Sequence, residues 1–429
     1  MERIVLDNGL RLLLLPRPDS RVFTLDVWVG AGSRYEQGFP AGISHLTEHM
    51  LFKGTETRTS RDISLAMDDI GGVINAYTGQ EHTRYYVKTL SEFAEQAVEL
   101  LADMLLHAAI PERELELERQ VVLEEIAMYE DSPEDTAHDG LTELVWQGGS
   151  LGANISGTRE SVLATGREDL LRFLGRRYTP DNMLVVCAGG FDMPAIRRAV
   201  EATFGERSRG KGHPTDDTPT FVPGIFRRVK PYEQVSLELA FPGLAVDAPE
   251  RFALSLLTAL LGDGESSRLY QRLREELGLV YGVYTTHYAS RDVGMYTISA
   301  STSPDNQVQV LEEIGGVLTR FVAEAVTPEE LARTKTRVKT GFLMSLETVA
   351  AHAAREGRSE WVLGRSVPVE EVLAAWEAVT AEDILALARR LFCGATALAA
   401  VGPAAEEPVL QQTLTAYPAT VFSSPSTEG

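Results

Sequence analysis

The sequence predicts a protein of mixed helices and strands that consists of two similar halves. Strand-like and helix-like segments follow one another in the same order in residues 3–204 and in residues 235–324. The segment Ala109–Leu115 also has a similar counterpart in Ala325–Leu331, and each contains a proline that can open a helix. A polar segment rich in Gly and Pro separates the halves. We therefore expect domains at residues 1–210 and 223–429, joined by a linker at residues 211–222.

Runs of alternating or continuous apolar residues between turn residues predict the strands, and longer amphipathic runs predict the helices. In the first half the expected strands are Arg3–Leu6, Leu10–Leu15, Val22–Val29, Val73–Thr78, Thr83–Thr89 and Met183–Ala188. The expected helices there are Ile63–Ile70, Phe93–Leu106, a long helix after Pro111, and Pro194–Phe204. In the second half we expect strands at Val235–Phe241, Gly282–Tyr288 and Gly294–Ala300, and helices at Arg251–Leu261 and Val308–Glu324.

The composition excludes several classes of function. The chain has 40 Lys and Arg against 62 Asp and Glu, a formal net charge of −22, which argues against a nucleic-acid partner. No apolar run approaches the length of a membrane span, and the N-terminus does not resemble a secretory signal. The two cysteines, Cys187 and Cys393, provide neither a disulfide framework nor a cysteine-rich metal site. We expect a cytoplasmic protein with no membrane partner.

The clearest chemical signal lies in residues 42–55. The composition of this stretch favours a helix, on which His45 and His49 lie one turn apart on the same face and can share a metal ion. Glu48 lies beside them and can take a proton from a water held by that metal without being a ligand itself. The pattern His-x-x-Glu-His is the inverzincin signature. The alternative interpretation is an amphipathic helix with two exposed histidines.

A catalytic zinc site needs a third protein ligand, and the long helix after Pro111 offers candidates. One face of this helix repeats at spacings of three and four: Leu115, Glu118, Val122, Glu125 and Tyr129. Buried carboxylates are unfavourable unless they are paired or bound to a metal, so Glu118 and Glu125 stand out. Four nearby acids lie off this face and are interpreted as solvated charge: Glu112, Glu114, Glu116 and Glu124. The alternative is that the whole face is half exposed.

The second half does not repeat the candidate metal residues. If Gly262 is aligned with Gly54, the positions of His45, Glu48 and His49 are occupied by Ala253, Leu256 and Leu257. If Pro328 is aligned with Pro111, the positions of Glu118 and Glu125 are occupied by Lys335 and Phe342. We therefore expect a duplicated scaffold of which only the first copy carries the metal site.

Together these motifs resemble the inverzincin peptidases of the pitrilysin, insulin-degrading enzyme and mitochondrial processing peptidase family, in its short bacterial form. The resemblance covers nearly the whole chain and rests on four stretches: His45–His49, Asn75–Thr78, Glu118–Glu125 and Ser267–Tyr281. It implies an α+β fold of two duplicated domains, each with a mainly antiparallel sheet covered by helices. It also implies a zinc metalloendopeptidase that forms homodimers around an enclosed chamber and cuts peptides or unfolded polypeptide segments.

The resemblance implies roles for the residues that match the family. His45, His49 and Glu125 hold one Zn2+ per chain, because the family places its last ligand 76 residues beyond the second histidine and here 125 − 49 = 76. Glu48 activates the zinc-bound water, and Glu118 is an acid that supports the site. The resemblance also implies that Asn75, Ala76 and Thr78 lie on an edge strand that binds the substrate. It implies catalytic roles for Arg274 and Tyr281 of the second half.

An alternative of another class is a non-catalytic or heterodimeric subunit of a processing-peptidase-like assembly, since the resembled family includes partners that lost the metal. The four residues of the zinc motif are all present in this chain. Arg274 and Tyr281 are present as well, which favours an enzyme that is complete in itself. We therefore expect an active peptidase.

Overall fold

The computed structural model describes residues 1–205, 207–210, 218–415 and 417, which form two compact units. Unit 1 comprises Met1–Ala127, Ala153–Asp217 and Met344–Ser366, and unit 2 comprises Met128–Gly152, Thr218–Leu343 and Val367–Gly429. Each unit is built mainly from one half of the chain and includes one segment of the other half. Most of the predicted linker, residues 211–217, lies outside the described residues, so the predicted domain boundary there stays a prediction.

Unit 1 contains a six-stranded, mainly antiparallel sheet. Its strands are β1 (Glu2–Val5), β2 (Arg11–Pro16), β3 (Val22–Val29), β4 (Val73–Thr78), β5 (Thr83–Leu90) and β6 (Met183–Gly189). Their order is β1-β2-β6-β3-β5-β4, and β2 with β6 is the parallel pair. β1 and β2 pair as an antiparallel hairpin. β4 is therefore an edge strand in the described part of the chain.

The helices that were expected in the first half lie close to their expected positions, and three further helices lie between them. In chain order the helices are α1 (Ile43–Leu51), α2 (Ser60–Asp69), α3 (Ala94–Leu106), α4 (Glu112–Asp131), α5 (Pro133–Val145), α6 (Arg159–Ala164), α7 (Arg167–Arg177) and α8 (Met193–Phe204). The three further helices are α5 to α7. One face of the sheet shares its core with α1, α3 and α8, through residues such as Leu12, Phe23 and Leu101. Helix α5 belongs to unit 2.

Unit 2 repeats this sheet. Its strands are β7 (Gly224–Val229), β8 (Val235–Pro242), β9 (Val283–Ala289), β10 (Gly294–Thr302) and β11 (Ala397–Gly402). The order β7-β11-β8-β10-β9 corresponds to β2-β6-β3-β5-β4, and the parallel pair recurs as β7 with β11. The predicted duplication is thus present, and the expected α+β class with mainly antiparallel sheets is confirmed.

The helices of the second half complete both units. They are α9 (Arg251–Leu261), α10 (Arg268–Tyr270), which continues as a π-helix over Gln271–Glu276, α11 (Gln307–Ala323), α12 (Pro328–Ser345), α13 (Val349–Leu363), α14 (Val369–Ala378), α15 (Ala381–Phe392) and α16 (Glu407–Leu414). Helix α13 packs on β3 and β6 of unit 1, and α5 packs on β8 and β11 of unit 2. None of the helices in the described part of the chain has the length and apolar character that a membrane span requires.

Candidate metal centre

Helix α1 places the two histidines of the predicted motif. His45 and His49 lie one turn apart, and their ring centroids are 4.7 Å apart. Gly42 precedes the helix with φ 82°, a left-handed conformation that favours glycine. Glu36 caps this end, because its two carboxylate oxygens accept from the N–H groups of Gly42 and Ser44, each at 2.8 Å. Since the first N–H groups of a helix have no partner within it, the buried Glu36 fixes where the metal helix starts.

Helix α4 brings the third candidate ligand to the same point. Oε2 of Glu125 lies 3.7 Å from Nε2 of His45 and 3.6 Å from Nε2 of His49, and the three ligand atoms lie within 4.8 Å of one another. Zinc binds such atoms at about 2.0–2.2 Å, which separates the ligand atoms of a tetrahedral site by about 3.3–3.6 Å. The donor types and their spacing therefore fit a zinc ion. No second group of this kind occurs among the residues that the structure describes.

Glu118 contacts the ring nitrogen of His49 that faces away from Glu125. Its Oε2 lies 3.1 Å from Nδ1 of His49, and its Oε1 lies 2.6 Å from Nζ of Lys53. Because a carboxylate accepts hydrogen bonds, Nδ1 carries a hydrogen, and in the neutral ring Nε2 keeps its lone pair towards Glu125. Glu118 therefore makes the contact with His49 that its predicted supporting role requires. The role itself stays a prediction. Sequence reasoning missed Lys53, whose position one turn after His49 is the available signal.

Burial and neighbouring charges shift the pKa values at this centre. Burial lowers the pKa of His45 to about 4, with a further lowering by His49, so the His45 ring is neutral and able to bind a metal at neutral pH. Burial also lowers the pKa of His49, but hydrogen bonds with Glu125 and Glu118 outweigh it and raise the pKa overall. Burial raises the pKa of Glu48, and a carboxyl with a raised pKa is a stronger proton acceptor.

The predicted substrate strand is β4, whose side chains alternate between exposed and half-buried. The N–H of Ala76 donates to Oδ1 of Asn75 at 2.7 Å. The N–H of Gly79 donates to the His82 carbonyl at 2.9 Å, so hydrogen-bonded pairs alternate along β4 and β5 and Ala76 with Tyr85 is not one of them. The N–H of Ala76 therefore faces away from β5, at the open edge of the strand in the described part of the chain. Thr78 has a second contact that sequence reasoning missed, since its hydroxyl donates to Oε2 of Glu48 at 2.5 Å. Substrate binding by Asn75, Ala76 and Thr78 stays a prediction.

In unit 2, Arg274 and Tyr281 contact each other. The guanidinium of Arg274 lies 4.5 Å from the ring centroid of Tyr281 and 5.4 Å from that of Tyr270, and it donates to the Tyr281 carbonyl. The side chain of Tyr281 is directed to the surface of this unit, with 80% of the residue exposed. The two residues therefore form a packed pair with an accessible phenol, and their catalytic roles stay predictions.

The second copy has lost the metal group at the expected positions. Helix α9 follows β8 as α1 follows β3, and its residues Ala253, Leu256 and Leu257 are buried in the core of unit 2. Helix α12 holds the place of α4. There Lys335 donates to the Glu377 carbonyl at 2.6 Å, and Phe342 packs edge-on against Trp376 at 5.2 Å between ring centroids. Four of the five aligned positions in unit 2 thus serve packing, and Lys335 holds a helix carbonyl.

The fold and this centre define a class of duplicated two-domain proteins in which one copy carries a metal centre and the other keeps only the scaffold. Residues 11–159 match the family model described as insulinase, peptidase family M16, and residues 165–338 match the model described as peptidase M16 inactive domain. The chain belongs to peptidase family M16, the insulinase family, which confirms the resemblance seen in the sequence.

Curated relatives agree with this assignment. The chain is 38% identical to the uncharacterized zinc protease YmxG of Bacillus subtilis, over 95% of this chain and 100% of that protein. It is 37% identical to an uncharacterized zinc protease of Mycobacterium leprae, over 96% and 94% of the two chains. Two crystal structures share the fold. A peptidase M16 inactive domain from Pseudomonas fluorescens superposes with a TM-score of 0.87 at 20% identity, covering 94% of this chain and 98% of that one. A protease from Helicobacter pylori gives 0.86 at 22% identity, covering 94% and 99%.

Proposed function

We propose that this protein is a zinc metalloendopeptidase that hydrolyses peptides or unfolded polypeptide segments. The observation that carries the proposal is the convergence of His45, His49 and Glu125 on one point, in a chain of a peptidase family whose relatives are named zinc proteases. The donor set and spacing of these residues fit zinc, and Glu48 on the same helix provides the acid–base group. No observation favours the alternative of a non-catalytic subunit.

The chemistry divides between the metal and the chain. Zinc supplies Lewis acidity, which lowers the pKa of water and polarises a carbonyl. Glu48 accepts the proton released as the water oxygen forms its bond to the scissile carbonyl carbon, and it returns that proton to the leaving nitrogen when the C–N bond breaks. Because burial raises the pKa of Glu48, this carboxyl can hold the proton between the two steps.

Strand β4 supports a proposal for substrate binding. Its open edge can pair with an extended peptide through main-chain hydrogen bonds, with Asn75, Ala76 and Thr78 on the strand that the substrate joins. Main-chain pairing depends little on the substrate's side chains, so we expect broad sequence tolerance. We also propose that two copies of the chain pair around an enclosed chamber, which a mass of two chains in size-exclusion chromatography with light scattering would support and a single-chain mass would contradict.

Arg274 and Tyr281 complete the proposed chemistry. Attack on a carbonyl leaves negative charge on its oxygen, and a phenol hydroxyl aimed at that oxygen stabilises the transition state more than the ground state. A guanidinium can hold the substrate carbonyl by charge-assisted hydrogen bonds. The contacts of the Arg274 guanidinium with the rings of Tyr270 and Tyr281 support this role, since they restrict the guanidinium before a substrate arrives.

The proposed function is tested by Glu48→Gln in the zinc-loaded full chain. This change removes the proton acceptor and leaves the three ligands, so we expect one zinc per chain by mass spectrometry and a loss of about 10²–10⁴ in the rate of peptide cleavage. Glu56→Gln, at an exposed position, is the matched control and should behave as wild type. A Glu48→Gln enzyme that cuts a peptide library at the wild-type rate would refute the mechanism.

A further inference from the structure

The carboxylate of Glu48 has one hydrogen-bond partner among the residues that the structure describes. The hydroxyl of Thr78 donates to its Oε2 at 2.5 Å. Thr78 is the last residue of β4, and β4 packs against α1, which carries Glu48. A glutamate side chain has three rotatable bonds, so a single fixed partner decides how its two oxygens are oriented.

Thr83 sets the direction of this hydrogen bond. Thr83 lies opposite Thr78 in the register of β4 and β5, and the two Oγ1 atoms are 3.3 Å apart. The Thr83 hydroxyl donates to the carbonyl of Ala31 at 2.9 Å, and a carbonyl can only accept. The single hydroxyl hydrogen of Thr83 is therefore used and cannot be given to Thr78. Thr78 directs its own hydrogen to Glu48, which is the nearer of its two neighbours.

Two buried tyrosines hold Thr83 in turn. The hydroxyl of Tyr178 is hydrogen-bonded to Thr83, and it lies 2.7 Å from the hydroxyl of Tyr85. Tyr85 and Tyr178 are 0% and 2% exposed. Burial raises the pKa of both phenols, so they remain protonated hydrogen-bond donors at neutral pH. A chain of four hydroxyl groups thus runs from the core of unit 1 to the carboxylate of Glu48.

We propose that Thr78 is a positioning residue for Glu48. Its hydroxyl holds Oε2 and leaves Oε1 free to accept a proton, so the base is oriented before the substrate binds. This inference rests on the proposed function and changes the role of Thr78, which the family resemblance places on the substrate-binding strand. A residue that acts through the base affects the chemical step, whereas a residue that binds substrate affects affinity.

The first test separates these roles by steady-state cleavage of a fluorogenic peptide with the zinc-loaded full chain. Thr78→Val keeps the shape of the side chain and removes the hydroxyl. We expect kcat to fall by about 10–100-fold with KM within about twofold and with zinc content unchanged. Thr78→Ser restores the hydroxyl and should stay within about threefold of wild type. Thr89→Val is the control, because the hydroxyl of this buried residue on β5 donates instead to the Ile70 carbonyl at 2.6 Å.

The second test needs no hydrolysis. Urea unfolding of the metal-free full chain is measured for Glu48→Ala, Thr78→Val and the double variant. Each single variant already removes the hydrogen bond between the two side chains, so the double variant has no further bond of this kind to lose. The change that the double variant causes in the unfolding equilibrium constant should therefore be about tenfold smaller than the product of the two single changes. Multiplicative effects would show that the two side chains do not interact and would overturn the proposal.

The remaining outcomes each decide the question. A Thr78→Val enzyme with a raised KM and normal kcat would show that Thr78 binds the substrate and does not position Glu48. Equal damage from Thr78→Ser and Thr78→Val would overturn the role of the hydroxyl. An inactive wild-type chain, or an active Glu48→Gln variant, would refute the proposed function and with it the role of Thr78 in catalysis. The unfolding measurements would still show whether the hydrogen bond between Thr78 and Glu48 exists.

Discussion

Replacing Glu118 by Gln is the sharpest test of how the chain prepares its metal ligands. Glu118 accepts from Nδ1 of His49 at 3.1 Å and pairs with Nζ of Lys53 at 2.6 Å. A glutamine has the same shape but only one oxygen. Since the Lys53 ammonium can only donate, it attracts that oxygen and turns the amide NH2 towards His49. The hydrogen of His49 then moves to Nε2, and the lone pair that would bind zinc is lost.

The size of the effect follows from this geometry. Partners that orient metal ligands typically contribute about 10–100-fold in metal affinity. That range corresponds to about 1.4–2.7 kcal/mol. We expect the upper part of the range for Glu118→Gln, because Glu118 is 6% exposed and water cannot readily replace the lost acceptor. The ligands His45 and Glu125 are unchanged, so binding should weaken and not disappear.

The measurement is zinc competition against a chromophoric chelator. Glu124→Gln is the matched control, because Glu124 is an exposed acid on the same helix. The double variant Glu118→Gln with Lys53→Met removes the cation that turns the amide, so it should bind zinc more tightly than Glu118→Gln alone. A folded Glu118→Gln protein with wild-type zinc affinity, or a double variant no better than the single one, would refute the reasoning.

Three further results are expected. Ala76→Pro removes an N–H that does not donate to β5, so the variant should fold and hold zinc while its KM for peptides rises; an unchanged KM would argue against β4 as the substrate strand. Tyr281→Phe should lower turnover by roughly tenfold or more at normal zinc content, with the exposed Tyr284→Phe as an unaffected control. Hydrogen bonding to Glu238 outweighs burial and raises the pKa of His138 above its ordinary value. The contribution of His138 to stability is therefore complete below about pH 6.5 and is lost as the pH rises through the raised pKa, so His138→Gln should be most destabilising in urea at acidic pH, unlike the exposed His107→Gln.

Periodic patterns predicted most of the strands and the helices around the candidate site, whereas α5 to α7 and α13 to α16 were given no bounds. The strand Val22–Val29 and the helix Arg251–Leu261 have the expected bounds. The prediction that one face of α4 is buried also agrees with the structure for Leu115, Glu118 and Val122. Tyr129, at the end of that face, is exposed. The second-half strands β7 and β11 were missed. β11 reads Ala-Leu-Ala-Ala-Val-Gly, whose alanines favour a helix in isolation, and its burial in the middle of a sheet overrides that preference.

The structure brings together the metal residues as the spacing on helices α1 and α4 suggests, because helix geometry converts sequence distance into direction. The surrounding contacts are of another kind. Glu36 acts on α1 through two hydrogen bonds from the segment just before that helix, and Thr83 acts on Glu48 from β5 through the hydroxyl of Thr78. Nothing in a local pattern distinguishes such a threonine or glutamate from a solvated one, so these residues could be found only once the chain was folded.

The exchange of helices between the two halves shows where local patterns stop being informative. β2 and β6 are apolar on both faces, which indicates that both faces of the sheet are covered. The sequence does not say which segment covers the second face. The structure shows that it is α13, more than 300 residues from β2, and that this helix buries the carboxylate of Glu360 against the sheet. In the sequence Glu360 looks like a solvated acid, yet it pairs with Arg3 at 3.0 Å and with Arg11 at 3.8 Å.

A buried carboxylate is strongly destabilising without a cation beside it. The arginines of β1 and β2 therefore make this face of the sheet specific for α13, because another apolar helix would leave them without Glu360, and an apolar surface alone has no such preference.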